Sequence, residues 1–570
     1  MSRCGIVLCC VTFLLFAFAN NTTAAPQWAF RVTFTDKNGS PDINNPLVFL
    51  SQRALNRRTA HGIAVDNSDL PVSPVYISEV LSLTNGVLHV TSKWLNDCVI
   101  LLPDSSNILS IQNKPYVSSI KYIAFYAATL HNKPQSSTTT NNKFTIEQQT
   151  ATPLAKGTGQ PSFYNLTWNQ TSMVDGDCLH DQGFKGQGKL IAVLDEGFTD
   201  ADTHPGFDSL HQSGRLLETY NFVKKNTSVY NSSLHGTQVL STIAGYVPNT
   251  FIGSAPLADY AIYITEDVQS EQPIEMDNMV AAAERADSLG ADIITSSLGY
   301  NIFTDFHTAD LTYSDLDGIS TIAAQGANWA VKKGILFVIT AGNEGGNAWN
   351  HILTPGDADS ALTVGAVDPS KNIASFSGYG PNAASVVKPD VCAQGDPAET
   401  FTMGSGYLAS SGTSFATPQV AGWAACLLQA HPAAMPYQLR KAIVLNADHF
   451  NNPDAHLGYG VPNVCEASNT LTQIVDVQVM QKPSAEQVNV YPTYFHSATA
   501  LSIVTNAPNN ETVSFVLASL EGNIVTTVQQ DISMGQQYHS FAIPATLPAG
   551  VYIFRALMAN GAYTARLVKY

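Results

Sequence analysis

Four stretches of the chain centre on short apolar runs: Lys189 to Leu194, Ala291 to Ser296, Ile335 to Thr340 and Ala361 to Val367. Each has the length of a strand and shows no polar alternation, as expected of strands buried on both faces. Stretches with helical character lie among them at His235 to Gly245, Glu275 to Leu289 and Ser414 to Ala430. This alternation predicts an α/β region over about 163–470, a mostly parallel sheet with helices on both faces. The flanks differ. Residues 27 to about 125 carry strand-like runs at Phe30 to Thr35, Val87 to Val90 and Cys98 to Leu102, with a helical stretch near Pro46 to Ala60. They predict a small α+β domain over 26–125. Residues 126–162 turn polar around Ser136-Ser-Thr-Thr-Thr-Asn-Asn142, hold too little apolar surface to order themselves, and read as a linker. Residues 485–570 are strand-like again, with turn signals at Ala507-Pro-Asn-Asn510 and Glu521-Gly-Asn523, and predict a C-terminal β-sandwich.

The first residues read as an address. Arg3 precedes the apolar run Gly5 to Ala19, and Asn20 to Ala25 forms a small, polar exit, the layout of a secretory signal peptide over 1–25. That run is shorter than the roughly 20 residues of a membrane span. No later stretch is long and apolar enough, so no transmembrane segment is expected once the signal is removed. Of the cysteines outside this segment, Cys98, Cys178, Cys392, Cys426 and Cys465 fit no zinc spacing. A disulfide or two and buried free thiols both stay open. The formal net charge of −17 lacks the basic face that a nucleic-acid partner would need.

Four short motifs fall where predicted strands end or helices begin, and ligands of open parallel sheets bind outside the carboxyl ends of the strands. They are Ala192-Val-Leu-Asp-Glu-Gly197, Leu234-His-Gly-Thr-Gln-Val-Leu240, Thr340-Ala-Gly-Asn-Glu-Gly345 and Ser411-Gly-Thr-Ser-Phe-Ala-Thr-Pro418. A serine hydroxyl becomes a nucleophile when an imidazole takes its proton, and the imidazole needs a carboxylate to fix its tautomer. Ser414, His235 and Asp195 supply these groups. A tetrahedral oxyanion needs preorganised donors, for which the Asn343 amide and the Ser414 backbone N–H are candidates. Gly412 is expected to permit a close backbone approach, and Pro418 to fall in the first helical turn, where its missing N–H costs little. Taken singly, each residue has an ordinary role: Asp195 and Asn343 in turns, His235 at a helix start, Ser414 as an N-cap. Together, at one end of one predicted sheet, they specify acyl transfer.

Gly412-Thr-Ser-Phe-Ala-Thr-Pro418 and His235-Gly-Thr237, in the order Asp, His, Ser, resemble the signatures of subtilisin-like serine peptidases, and the resemblance runs from about Gly186 to Gly460. It includes Ala341-Gly-Asn343 at the oxyanion position and Lys388-Pro-Asp-Val391. It implies a serine endopeptidase acting on protein or peptide substrates. It also implies that Ser297, Leu298 and Gly299, within Thr295-Ser-Ser-Leu-Gly299, and Gly342 bind substrate. No cofactor is required for catalysis and no metal site is assigned. Structural calcium is common in such enzymes, and Asp195, Asp200, Asp202, His204 and Asp208 form a local acidic cluster. An apolar or aromatic side chain is expected at the substrate residue whose carbonyl is attacked. One departure stands out: Glu196 follows the aspartate where the family has Ser or Thr, placing a second carboxylate near His235.

Phe49-Leu-Ser-Gln-Arg-Ala-Leu-Asn-Arg-Arg58 and Ser92-Lys-Trp-Leu-Asn96 resemble the longer pro-regions of Bacteroidetes-type proteases. This implies an intramolecular inhibitor and foldase released by cleavage in the linker; a permanent accessory domain is the other reading. Val490-Tyr-Pro492, Leu520-Glu-Gly522 and Leu547-Pro-Ala-Gly-Val-Tyr-Ile553 resemble a type IX secretion sorting domain, with Thr493-Tyr494 replacing the usual Asn-Pro. The enzyme would then be secreted, or anchored at the outer-membrane surface. An inactive subtilisin-fold binding protein is the alternative that the intact Asp195, His235, Asn343 and Ser414 disfavour. An esterase or lipase would need Gly-x-Ser-x-Gly and the order Ser, Asp, His.

Overall fold

The computed structural model describes residues 27–126 and 162–480, and in the C-terminal part 488–491, 494–495, 500–507, 510–519, 524–533, 535–544, 546–558 and 561–569. The signal peptide over 1–25, nearly all of the linker and the Leu520-Glu-Gly522 turn lie outside the described residues. The chain divides into two compact units near residue 471.

Seven parallel strands form the frame of the first unit. In spatial order they are Val391–Gln394, Leu362–Val367, Leu336–Thr340, Ile293–Ser296, Leu190–Asp195, Asp259–Ile264 and Leu216–Asn221. The four predicted strands are all present, within two residues of their expected starts. Every residue of Leu190–Asp195 is buried, which is why that run is apolar throughout until its final carboxylate. The first strand of this sheet in the chain sits in its interior. Later strands are added first on one side of it and then on the other, so a topological switch point opens beside the Asp195 end. The helices Ile274–Leu289 and Ile322–Lys332 pack with Leu190, Ala192, Leu194, Phe337 and Ile339 in one apolar cluster. The helices His235–Ala244 and Thr413–Ala430 pack against each other and carry the other motifs. No helix among the described residues is long and apolar enough to cross a membrane.

Near the two ends of this α/β region, Cys178 and Cys465 form a disulfide, while Cys98, Cys392 and Cys426 are buried free thiols. Both outcomes left open by the cysteine spacing therefore occur.

The second unit consists of a three-stranded and a five-stranded sheet. Leu501, Ile503 and Phe541 from the first join Val513, Phe515, Leu517, Phe554 and Leu567 from the second in one core. This is the two-layer packing of a β-sandwich.

Residues 27–126 form a four-stranded antiparallel sheet with the helices Gln52–His61 and Pro74–Thr84, an α+β arrangement. Its Ala29, Val90, Trp94, Val99 and Ile123 share the apolar cluster that holds Met276, Met279, Val280 and Ala283. Three carboxylates of the helix Ile274–Leu289 frame that contact. Arg31 grips Asp277 through two hydrogen bonds of 2.6 and 2.5 Å. Glu284 accepts from Ser92 Oγ, Lys93 N and Trp94 N. Asp287 meets Arg57, Arg58 and Lys93 at 2.5, 2.9 and 2.9 Å. Residues 277, 284 and 287 lie seven and ten positions along a helix and so share a face. Ser51, the N-cap of Gln52–His61, also donates to the carbonyl of Leu289 at the far helix's end.

Burial alone would raise the Asp287 pKa, but Lys93, Arg57 and Arg58 hold it down at about 2. Asp287→Asn would leave those three cations buried without their shared anion. The expected loss is about 3–5 kcal/mol, read from the urea midpoint of the full-length chain. Glu79→Gln, which breaks the half-exposed pair with Lys114, should shift that midpoint far less.

Candidate active site

Asp195 is the last residue of its strand, where the buried run meets the switch point. Its Oδ1 accepts from Glu196 N at 2.9 Å and from His235 Nδ1 at 2.8 Å, and both side chains are buried. A carboxylate can only accept, so Nδ1 carries the proton and the neutral ring presents its lone pair at Nε2. The local sequence fixes this approach. Gly236 N donates to Gly197 O, and Thr237 Oγ1 donates to Thr199 O. A Cβ on Gly236 would stand 2.3 Å from Gly197 O and 3.0 Å from Asp195 Cβ, so only glycine lets the helix start sit on the aspartate loop.

Glu196 turns toward the same helix start. Its Oε1 accepts from Ser233 Oγ at 2.5 Å, and Ser233 Oγ accepts from His235 N at 3.1 Å. The acidic substitution thus supports the histidine's backbone through a serine two residues upstream. Ser233 was not singled out from the sequence, although its spacing before His235 suits a cap.

Ser414 is the second residue of the helix Thr413–Ala430, which Gly412 precedes as N-cap. Ser414 is therefore not the cap, and Pro418 is the helix's sixth residue rather than part of its first turn. Pro418 has no N–H for the carbonyl four residues back, which is that of Ser414. Ser297 Oγ takes that place, donating to Ser414 O at 2.8 Å, while Ser414 Oγ donates to Ser297 O at 3.3 Å. The close approach expected at Gly412 falls instead on Gly395, where a Cβ would stand 2.7 Å from Gly412 O. A Cβ on Gly412 would find ordinary contacts, including Asn343 Nδ2 at 3.6 Å.

Asn343 follows the strand Leu336–Thr340. Its Oδ1 accepts from both Thr413 N at 3.0 Å and Thr413 Oγ1 at 2.7 Å. Thr340 Oγ1 donates in turn to Thr413 Oγ1 at 2.6 Å. With the oxygen taken by two donors, the amide orientation is set, and Nδ2 faces away from Thr413. Gln238 bridges the histidine helix to Ser410, just before the serine motif, at 2.9 Å. Thr413, Thr340 and Gln238 are supports that the sequence did not reveal, although all three stand inside quoted motifs.

Ser297, Leu298 and Gly299 continue the strand next to the Asn343 strand, and Gly342 adjoins Asn343 with φ +89°. The eight residues assigned to catalysis or substrate binding thus lie at adjoining strand ends and at the starts of the histidine and serine helices. The acidic cluster does not gather. Asp200 accepts from Gly404 N, while the His204 ring stacks on Phe401 and accepts from Gly206 N. Among the described residues no group of three or more His, Cys, Asp or Glu side chains is placed to hold a metal ion.

Burial pushes the His235 ring toward its neutral form, but Asp195 and then Glu196 outweigh it and raise its pKa above 6.5. The neutral ring is therefore favoured at higher pH than for a free imidazole. Glu196→Gln removes one of the two anions, so the acid limb of kcat/KM should move to lower pH. An unchanged limb would show that Glu196 does not reach the ring.

Comparison with known proteins gives the family. The model of the subtilase family matches residues 186–460, and that of the Peptidase S8 propeptide domain of Bacteroidota matches residues 29–143. Subtilisin NAT from Bacillus subtilis subsp. natto is 32% identical over 302 residues, which span 52% of this chain and 70% of that protein. Subtilisin from Bacillus pumilus is 30% identical over 300 residues, 52% of this chain and 97% of that protein. The thermostable alkaline protease of Halalkalibacterium halodurans is 28% identical over 288 residues, 50% of this chain and 69% of that protein. The chain belongs to the subtilase family and is a serine endopeptidase with an N-terminal propeptide domain.

Proposed function

We propose that Ser414 is the nucleophile of this peptidase, His235 its general base and acid, and Asp195 the group that orients and charges the imidazole. The observation that carries the reading is the buried 2.8 Å hydrogen bond from His235 Nδ1 to Asp195 Oδ1, which leaves Nε2 as the proton acceptor. Ser414 Oγ attacks the scissile carbonyl as its proton passes to Nε2. The carbonyl oxygen becomes an oxyanion facing Asn343 Nδ2 and the Ser414 N–H at the helix N-terminus. His235 returns the proton to the leaving amine, and water then releases the acyl group by the same steps in reverse. Side chains and backbone supply this chemistry, so no cofactor is required.

A fluorophosphonate probe should label Ser414 in the processed enzyme, and Ser414→Ala should abolish both labelling and cleavage of a peptide substrate. Asn343→Ala should keep labelling but lower kcat by about 10²–10³-fold. A folded chain that takes no label would instead be a binding protein on this fold.

Residues 26–125 act in this reading as an inhibitor that is cut away within 126–162, supported by the propeptide match. The enzyme is exported. The Arg3 and Gly5–Ala19 layout supports this, as does the Cys178–Cys465 disulfide, a bond that persists in oxidising compartments. The sandwich over 485–570 serves as the type IX sorting domain, supported by its motifs and two-sheet core. Deleting 485–570 should then hold the enzyme in the periplasm, seen by fractionation. Unchanged surface or medium levels would remove that role.

A further inference from the structure

The two glycines assigned to the substrate cleft, Gly299 and Gly342, face one and the same side chain. A Cβ placed on Gly299 would stand 2.7 Å from Leu353 Cβ and 3.0 Å from its Cδ1. One placed on Gly342 would stand 2.6 Å from Leu353 Cγ and 2.8 Å from that same Cδ1. The isobutyl group therefore lies between the walls and touches both, and only 3% of Leu353 is exposed.

The backbone holds it there. Leu353 N donates to Ala341 O at 3.1 Å, tying the segment to the Asn343 wall. Tyr300 N donates to Thr354 O at 2.9 Å and Thr354 N to Tyr300 O at 3.2 Å, tying it to the Ser297 wall. Ile352 to Thr354 thus forms a floor stitched to both sides. Gly342 has a backbone reason to be glycine in its positive φ, but Gly299 does not. Its lack of a side chain is accounted for by Leu353.

We propose that Leu353 fills the inner part of the slot that receives the side chain of the attacked residue, and so restricts that residue to Gly, Ala or Ser. The inference rests on the active site proposed above. In that site the attacked carbon bonds to Ser414 Oγ, beside Ser297 O, with its oxygen toward Asn343. The side chain on the neighbouring carbon then enters the gap between the segments 297–299 and 341–343. A leucine or phenylalanine there would have to displace a buried side chain held by two walls, and packed interiors resist added volume. A methyl group fits above the isobutyl group. The apolar or aromatic preference expected from sequence gives way in this reading to a small residue.

The test uses the full-length chain after it has processed itself, with tetrapeptide p-nitroanilides that differ only in a final Gly, Ala, Leu or Phe. The intact enzyme should favour Ala over Phe in kcat/KM by about ten-fold or more. Leu353→Gly should raise Phe relative to Ala by about ten-fold or more, and Leu353→Ala by less. Fluorophosphonate labelling of each variant reports a folded site, and the profile of the intact enzyme decides the matter if neither variant folds. An enzyme that takes the label yet cleaves the Leu or Phe substrate as well as the Ala one overturns the role of Leu353 and leaves the active site standing. A chain that takes no label and cleaves nothing overturns both.

Discussion

Pro418 leaves the carbonyl of Ser414 without a partner in its own helix, and much of the site is organised around that deficit. Ser297 fills it, and Ser414 Oγ answers by donating to the Ser297 carbonyl. Two residues 117 positions apart therefore hold each other by reciprocal hydrogen bonds. One sits at the mouth of a helix and the other at the end of a strand. Because the Ser297 strand is hydrogen-bonded to both the Asp195 strand and the Asn343 strand, the nucleophile's helix is registered against all three. A buried carbonyl left unpaired costs about 1–3 kcal/mol, so the proline makes this registration obligatory.

The acidic face of the helix Ile274–Leu289 does a different job. Three carboxylates there meet cations and backbone donors of residues 27–126 inside an apolar contact. Buried pairs of this kind add little net stability over a well-packed apolar contact, because each charge is first stripped of water. They penalise mispairing heavily, which suits a segment that must dock in one register. If that segment departs, as proposed for a propeptide, the same carboxylates can be rehydrated.

The chemistry-bearing residues were legible because each stands in a short string whose neighbours serve it directly. Gly236 and Thr237 seat His235 on the Asp195 loop, and Thr413 orients Asn343, so the strings record local contacts. The strands were legible because a strand buried on both faces is mostly apolar, its few polar residues gathered at its end. What stayed hidden was what long-range packing decides. Pro418 was misplaced by a turn: it is the fifth residue even from the expected start at Ser414, and the sixth from Thr413. The tight approach was assigned to Gly412, yet its neighbour across the space, Gly395, bears it. Leu353 gave no signal at all, being an ordinary leucine until two distant walls close around it. Asp287 gave no signal either, because its cations Arg57 and Lys93 lie 230 and 194 residues upstream.

The Cys178–Cys465 bond joins residues 287 positions apart and encloses every residue of the proposed active site. In the chain-entropy picture a loop of that length adds up to about 5 kcal/mol by constraining the unfolded chain. Its local effect matters more for a protein surrounded by its own catalyst. Proteolysis begins where ends fray, and removing residues 1–162 would create a fresh N-terminal end about 15 residues before Cys178. With that end covalently tied to the helix Val464–Met480, neither margin of the catalytic region can peel away alone. The bond thus works as a guard against self-digestion, placed at the end that activation itself exposes.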